Sequence, residues 1–480
     1  MEKLFDYQKE HVSILKQAIT NHNRALDCST TGAGKTFCAI ALCKELNLKP
    51  FIICPKSMIN TWYKILTNHF QIEFYGIVNY ESFINGTYFN HKLKKVHNPL
   101  LKITKEEISN KLIDIIEWNE NCIPNNMLFI LDEAHRCKNH KTKNGSTLIK
   151  LSKTDAKILL ISATIIDKDI FTQILVNVFR LDKYEYSPRR GVLNKSDVMK
   201  KLHKILFPKF GNRMRYNEIL QQSALFKKNI VLVDTTEMSN AEEIQKNYIH
   251  LKKELKTIRR KIRKTSGLGT IIRIRQKIEI LKVPTFIELT QKYLSQNKSV
   301  VVFFNYNASI EYFTTHFKTD CIVFGDQNET TRNMNISNFN SGKSRIIVCN
   351  TKAGGVGISL HDTLGDYQRV SLISPTWSAQ DLIQCLGRIH RANAQSDAIQ
   401  RIIFAKNTDE EVVSRAVSTK IENIGLLNDN DRNSYDFIKD IDVFNDFLEQ
   451  YSIENPQIDE YNEYNSENSS DSEDDTDENI

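Results

Sequence analysis

The octapeptide Ser29-Thr30-Thr31-Gly32-Ala33-Gly34-Lys35-Thr36 combines a turn that exposes backbone N–H groups with a lysine and a hydroxyl, a spacing suited to phosphate. Gly32 and Gly34 offer no Cβ to obstruct a triphosphate. Phe37 to Leu42 reads as a helix whose first N–H groups point at the anion. In that reading Lys35 reaches the β- and γ-phosphates, Thr36 holds Mg²⁺, and the backbone from Thr31 through Ala33 to Gly34 lines the cradle. Ser29 stands where a glycine usually opens such a loop, so the stretch also fits a helix-capping Ser/Thr/Gly turn.

Three further groups carry chemistry that such a loop needs. Asp132-Glu133-Ala134-His135 follows the apolar run Met127–Leu131. Of two adjacent carboxylates at a strand's end, one can hold Mg²⁺ and the other can orient or deprotonate an attacking water. Ser162-Ala163-Thr164 places hydroxyls at the end of the next apolar run, Ile158–Ile161. Arg388 and Arg391 stand three apart in a predicted helix that starts after Ser378, a plausible N-cap, and also carries Gln384. That spacing puts both guanidinium forks on one helix face, where they suit a γ-phosphate or, equally, an exposed helical surface.

These groups require a particular scaffold. Arg24–Cys28 reads as a strand leading into the loop, and Phe51–Cys54, Phe74–Asn79, Met127–Leu131 and Ile158–Ile161 as further strands. A helix from Ser57 to Leu66 carries Trp62, and Tyr7, Val12, Ile14, Leu15 and Ile19 share one face of an earlier helix. Gln8, in that earlier helix, has an amide able to read an adenine edge or simply to face solvent. Lys92–Asn121 is charged and helix-compatible. Strand and helix alternate again from Ser299–Phe304 through Ala308–Phe317, Cys321–Phe324, Arg345–Cys349 and 370–373. The alternation predicts parallel sheets covered on both faces, with ligands outside the strands' carboxyl ends. After Cys349 comes the glycine-rich turn Asn350-Thr351-Lys352-Ala353-Gly354-Gly355-Val356-Gly357-Ile358, without a Gly-Lys-Thr ending.

Between the two alternating regions, Lys252–Lys282 holds twelve Lys/Arg and two acidic residues, with Leu251, Leu255, Ile258 and Ile262 at helical spacing. This reads as basic helices interrupted at Gly267-Leu268-Gly269, with one face packed and a cationic face free for phosphates or solvent. The formal charge of +7 conceals a division. Glu454–Ile480 has eleven acidic residues and no Lys/Arg, so residues 1–453 carry 65 Lys/Arg against 47 Asp/Glu. A basic body suits a polyanionic partner, and the acidic tail is too poor in apolar residues to fold. The nine cysteines form no C-x-x-C pair, which argues against zinc and a disulfide framework and for reduced thiols. Without a long apolar stretch or a leader the chain reads as intracellular, neither membrane-bound nor secreted.

Taken together the motifs resemble those of the superfamily-two helicases and translocases. Phe5 to Gln8 resembles the Q motif, Ser29–Thr36 motif I, Ile53-Cys54-Pro55-Lys56-Ser57 motif Ia, Asp132–His135 motif II of the DEAH type, Ser162–Thr164 motif III, Asn350–Ile358 motif V and Gln384–Arg391 motif VI. Within the superfamily, Cys54–Ser57 followed by Trp62, Asn79-Tyr80-Glu81, Asp132 to Asn139 and Thr351–Gly357 resemble the Swi/Snf-like branch, in particular compact members from large DNA viruses, phages and bacteria. Ser162-Ala163-Thr164 and Ser29-Thr30-Thr31 depart from that branch's usual residues.

The resemblance implies an α/β fold of two RecA-like lobes, each a parallel sheet covered by helices, with a basic helical insertion and a disordered acidic tail. The expected boundaries are 1–182 for the first lobe, 183–290 for the insertion, 291–450 for the second lobe and 451–480 for the tail. The implied activity is hydrolysis of ATP with Mg²⁺, coupled to movement along nucleic acid, DNA favoured and RNA the alternative. Lys35, Asp132, Glu133, Arg388 and Arg391 are then catalytic, with Asp132 and Thr36 on the metal. Gln8, Thr31 to Thr36 and Gly357 bind nucleotide. Pro55, Lys56, Ser57, Ser162, Thr164, Thr351, Gly354, Gly355 and Gln384 serve nucleic-acid contact and coupling. An RNA helicase, a transcription-termination ATPase and an inactive nucleic-acid-binding scaffold are the alternative functions. Protein partners would belong to transcription or replication machinery, in nucleus, cytoplasm or virion.

Overall fold

A computed structural model describes residues 3–108, 111–168, 171–182, 195–215, 218–219, 226–260, 266–325, 327–354, 357–376 and 378–431. The acidic tail, Gly355 and the side chains of the Arg259–Lys264 cluster lie outside those residues. The chain forms two compact units. The first runs to Lys227 and takes in His390–Ala394 and the stretch from Lys420; the second comprises Lys228–Ile389 and Gln395–Thr419.

The first unit's strands are β1 (Arg24–Asp27), β2 (Lys49–Cys54), β3 (Gly76–Asn79), β4 (Thr87–Phe89), β5 (Lys95–His97), β6 (Leu101–Ile108), β7 (Lys111–Trp118), β8 (Met127–Asp132), β9 (Lys157–Ile161) and β10 (Gly211–Asn212). Eight of them form one sheet in the order β10-β1-β9-β8-β2-β3-β4-β5, in which β4 alone runs against the others and so pairs antiparallel with both β3 and β5. The interiors of its central strands are apolar and buried, as a sheet covered on both faces requires, with charged residues confined to their ends. Ala25, Ile52, Ile130 and Leu159 pack on one side with the helices Asp6–His22 and Lys35–Glu45. Leu26, Ile53, Phe129 and Leu160 pack on the other with Lys143–Lys153 and Lys195–Leu206.

One open region is placed and one expectation is corrected. In the helix-compatible Lys92–Asn121 region the described residues are mainly strand: β5 joins the main sheet, and β6 pairs with β7 as an antiparallel hairpin in which Ile103 faces Ile116 and Leu101 faces Trp118, before a 3₁₀ turn at Glu120–Cys122. Its charged residues are tolerant of helix, but the isoleucines and the terminal Trp118, whose Nε1 donates to Thr147 O at 3.0 Å, favour a half-packed ribbon. The helix expected over Ser57–Leu66 is composite, a 3₁₀ turn Lys56–Met58, an α-helix Ile59–Lys64 and a π-helical turn Ile65–Phe70.

The second unit is a six-stranded, wholly parallel sheet in the order β11-β16-β15-β12-β14-β13. Its members are β11 (Asn229–Thr236), β12 (Ser299–Phe304), β13 (Ile322–Val323), β14 (Ile346–Asn350), β15 (Arg369–Ile373) and β16 (Ala398–Ala405). The basic region contributes the helices Ala241–Arg260 and Ser266–Ser295, and the stretch before it adds strands β10 and β11. Gly267-Leu268-Gly269 lies inside the first turn of the second helix rather than between helices.

The cationic face is also less free than its composition suggests. Lys252 pairs with Asp409 at 2.7 Å and Lys277 with Glu243 at 3.2 Å. Lys282 is buried, its Nζ donating to both oxygens of Glu410 and to Ile403 O. Eight of the nine cysteines are buried and Cys122 is exposed.

Candidate active site

Parallel pairing brings the ends of β1, β9 and β8 side by side, so the loop, Ser162 and Asp132 issue from one sheet edge. β1 ends at Asp27, and the chain turns through the loop into the helix Lys35–Glu45. Gly32 (φ +81°) and Gly34 (φ +88°) take left-handed backbone, which a side chain would strain. A Cβ on Gly34 would also collide with Gln8 Nε2.

Ser29, at the position of the missing glycine, is wholly buried. Its N–H donates to Asp27 Oδ1 at 2.9 Å and its Oγ accepts from Met214 N at 3.0 Å. A hydroxyl there docks the loop on the segment after β10, so the departure costs no geometry.

Lys35 Nζ donates to Ser29 O (2.8 Å) and Thr30 O (3.0 Å). Desolvation pushes its pKa below the usual lysine value, while Asp27, then Glu133 and Asp132, pull the other way. Lys35 thus sits in the field of all three acids. Gln8 is buried. Its Nε2 donates to Ala33 O at 2.9 Å and its Oε1 accepts from Phe5 N at 3.0 Å, leaving one amide N–H and one lone pair for a ligand.

Asp132 closes β8 and is held from three directions. Trp62 Nε1 donates to Oδ2 at 2.8 Å, Glu133 N to Oδ1 at 3.0 Å, and Tyr80 Oη to the main-chain carbonyl at 2.8 Å. Burial and then the neighbouring Glu133 raise its carboxyl well above the usual range, against the pull of Trp62 and Lys35. A cation beside it would relieve that strain on the charged form.

Glu133 has a left-handed backbone (φ 53°), a conformation that costs a non-glycine residue about 1–3 kcal/mol. It turns the chain so that Glu133 Oε2 lies 3.3 Å from His135 Nδ1, which is also 3.1 Å from Ser162 Oγ. Ser162 Oγ accepts from Thr164 N at 3.2 Å. Motifs II and III are therefore physically linked.

Among the described residues no group of three His, Cys, Asp or Glu could hold a metal by itself. The oxygen donors Thr36 and Asp132 fit Mg²⁺, which commonly takes one or two protein oxygens and completes its shell with phosphate and water.

In the second unit Thr351 Oγ1 donates to Phe304 O at 3.1 Å, and Gly354 lies so close to Cys349 that a Cβ would stand 2.5 Å from the cysteine's own. Gly357 is left-handed (φ +75°). Ser378 caps the helix Ala379–Leu386 as expected, accepting from Asp381 N at 3.2 Å. Gln384 is buried on that helix.

The shared helix face for Arg388 and Arg391 is a correction, because the helix stops at Leu386 with Gly387 as its C-cap. Glycine's backbone entropy ends the helix there. Arg388 is buried and donates to Gln384 O (2.7 Å) and Ile358 O (3.1 Å). Arg391 falls in the segment that belongs to the first unit, and a Cβ on Gly32 would lie 3.5 Å from its Cγ. Pro55 is buried, whereas Lys56 and Ser57 are exposed at the start of the composite helix.

Sequence reasoning assigned no role to Asp27, His11, Trp62 or Tyr80. His11 Nε2 is 3.1 Å from Asp27 Oδ2, an off-axis electrostatic contact with both side chains fully buried. An acid closing an apolar strand just before a phosphate loop was a legible signal. The indole's contact with Asp132 spans 70 residues and was not.

Residues 1–167 match the family described as type III restriction enzyme, res subunit, and residues 282–393 match the helicase conserved C-terminal domain. A protein of Acanthamoeba polyphaga mimivirus, provisionally named ATP-dependent RNA helicase L364, is 32% identical over 460 residues, covering 89% of this chain and 84% of that protein. The Drosophila melanogaster SWI/SNF-related matrix-associated actin-dependent regulator of chromatin subfamily A-like protein 1 is 21% identical, and the match covers 89% of this chain and 57% of that protein's length.

Among solved structures, the Sulfolobus solfataricus SWI2/SNF2 ATPase core in complex with dsDNA aligns at 16% identity and TM-score 0.34, covering 91% of this chain and 94% of that one. S. cerevisiae Dbp5 bound to RNA and ADP BeF3 aligns at 12% and 0.46, covering 90% and 93%. The chain belongs to the superfamily-two helicases, with Swi/Snf-like relatives. It is an ATP-dependent enzyme of the helicase and translocase class.

Proposed function

We propose that this protein hydrolyses ATP at the loop after β1 and uses the cycle to move along DNA, duplex DNA in particular. The observation that carries the reading is the convergence of Lys35, Asp132 and Glu133 at one edge of the first sheet, with Lys35 in the electrostatic reach of both acids. Lys35 and the N–H groups from Thr31 to Thr36 grip the phosphates, with Gln8 bracing the loop through Ala33. Thr36 and Asp132 would hold Mg²⁺, which would supply neutralisation of phosphate charge. Glu133 takes the proton of the attacking water, its orientation set by the left-handed turn and by His135. Arg388 and Arg391 stabilise charge on the transferring phosphoryl group, and Gln384 holds the Arg388 segment in place through its carbonyl.

Pro55, Lys56 and Ser57 on one unit and Thr351, Gly354 and Gly355 on the other contact the nucleic-acid backbone, with Ser162 and Thr164 relaying nucleotide state. The DNA preference rests on the Swi/Snf-like motifs of the sequence, and an intracellular location follows from that substrate. The 32% identical mimivirus relative is named an RNA helicase, which keeps RNA unwinding as the second reading.

Steady-state ATP hydrolysis with no nucleic acid, single-stranded DNA, duplex DNA and RNA in parallel, at fixed salt, separates them. Stimulation by duplex DNA is expected. Stimulation by RNA alone would replace the translocase with a helicase, and no hydrolysis under any condition would overturn both.

A further inference from the structure

Trp62 is fully buried and its indole N–H, a donor that cannot accept or titrate, ends on a carboxylate rather than on a carbonyl or water. That carboxylate is Asp132. The 2.8 Å bond to Oδ2 and the 3.0 Å bond from Glu133 N to Oδ1 fix the plane of the group, and Tyr80 Oη fixes the main chain beneath it. Trp62 belongs to the helix Ile59–Lys64, which follows directly on the 3₁₀ turn Lys56–Met58 with its exposed Lys56 and Ser57. Tyr80 opens the short helix Tyr80–Ile84 after β3. Two separate elements thus meet on one acid. A phenylalanine would fill most of the same volume, so packing alone does not call for the N–H.

We propose that Trp62 is a positioning residue for Asp132: its N–H sets the carboxylate in the orientation that Mg²⁺ with nucleotide requires, and ties that orientation to the helix that follows Lys56 and Ser57. Mg²⁺ tolerates little departure from octahedral geometry, so a carboxylate free to rotate binds it less well. A load on Lys56 or Ser57 is one hydrogen bond away from the metal ligand. The inference rests on the reading of Asp132 as a metal-holding residue.

The test measures binding of ADP carrying a fluorescent N-methylanthraniloyl group across a Mg²⁺ titration, for wild type, Trp62→Phe and Asp132→Asn. Thermal melting is followed alongside. Trp62→Phe is expected to raise the half-saturating Mg²⁺ concentration roughly tenfold, the scale of losing an outer-shell partner, with binding in the absence of Mg²⁺ unchanged. A second measurement needs no change at Trp62. In a Trp118→Phe/Trp377→Phe protein, whose remaining tryptophan is Trp62, emission should shift as Mg²⁺ saturates the protein with unlabelled ADP.

A wild-type Mg²⁺ midpoint in a folded Trp62→Phe overturns the inference, whatever the emission shows, and leaves a core tryptophan. Should Trp62→Phe fail to fold, the emission result decides alone. An unchanged midpoint in Asp132→Asn would instead remove the metal reading on which the inference stands. A shifted midpoint there beside an unshifted Trp62→Phe would remove the role of Trp62 alone.

Discussion

The two glycine-rich stretches, one after β1 and one after β14, both follow a parallel strand and differ in what the glycines are for. Each follows the end of a buried parallel strand, but only the first is a loop that leads into a helix; after β14 the short helix Thr351–Gly354 begins at once and the glycine-rich stretch runs on from its end. After β1, Gly32 and Gly34 are left-handed, and an eleven-residue helix starts with Lys35 and Thr36. After β14, the helix Thr351–Gly354 has four residues, and Gly354 is small because Cys349 leaves no room for a Cβ. The first turn is pinned from several sides by Gln8, Asp27, Lys35 and Met214 and is surrounded by acids. The second is anchored to its own sheet through Thr351 and Phe304. Glycine content after a buried parallel strand is common to both; what sets the first apart is a loop that runs into a long helix, the side chains that loop carries and how its backbone is held.

The largest effect should come from the acid that follows β8. Glu133→Gln is expected to bind nucleotide as wild type does while losing about 10²–10⁴-fold in turnover, the contribution of a positioned general base. Single-turnover hydrolysis beside equilibrium binding checks it. Normal hydrolysis by that variant would remove Glu133 from the mechanism.

Arg388→Ala should cost about 10²–10³-fold in kcat, as loss of a transition-state donor does. It should also lower the melting temperature, because the carbonyls of Gln384 and Ile358 lose their donor. A drop in stability with unchanged kcat would make Arg388 a structural residue only.

The glycines separate the two turns directly. Gly34→Ala forces a side chain into left-handed backbone, about 1–2 kcal/mol of strain, and should appear as weakened nucleotide binding. Gly354→Ala overpacks the second unit against Cys349 by about 1–3 kcal/mol and should appear as a lower melting temperature with nucleotide binding retained. If both variants weakened nucleotide binding equally, the contrast between the turns would fail. At the small end, Lys252→Ala removes a partly exposed pair with Asp409 and should cost about 1 kcal/mol by chemical denaturation.

The sheets were legible in the sequence wherever a long apolar run stood out: Phe51–Cys54, Met127–Leu131 and Ser299–Phe304 all emerge as buried stretches of parallel strands. β6 and β7 were not, because alternating charged and branched residues are compatible with a helix until a partner strand decides. β11 was obscured for a related reason: its residues are only half-buried and its partner β16 lies some 170 residues away, so no local signal announces it.

At the site, Lys35, Thr36, Asp132 and Glu133 were legible because their chemistry is tied to a short spacing. The identity of Ser29 looked like a defect in the loop until its hydroxyl was seen to receive Met214 N. The supports of Asp132 were invisible, since Trp62 and Tyr80 reach it across 70 and 52 residues. The arginine segment was misread through its glycine, because a spacing of three implies a common face only while the helix continues past Gly387.

The most direct measurement is equilibrium ATP binding, with Mg²⁺ present, for wild type, Lys35→Ala and Lys352→Ala side by side. Each substitution removes the lysine of one glycine-rich turn. Lys35→Ala should lose binding and Lys352→Ala should match wild type. Retained binding in Lys35→Ala with loss in Lys352→Ala would place the triphosphate at the other turn and contradict the assignment.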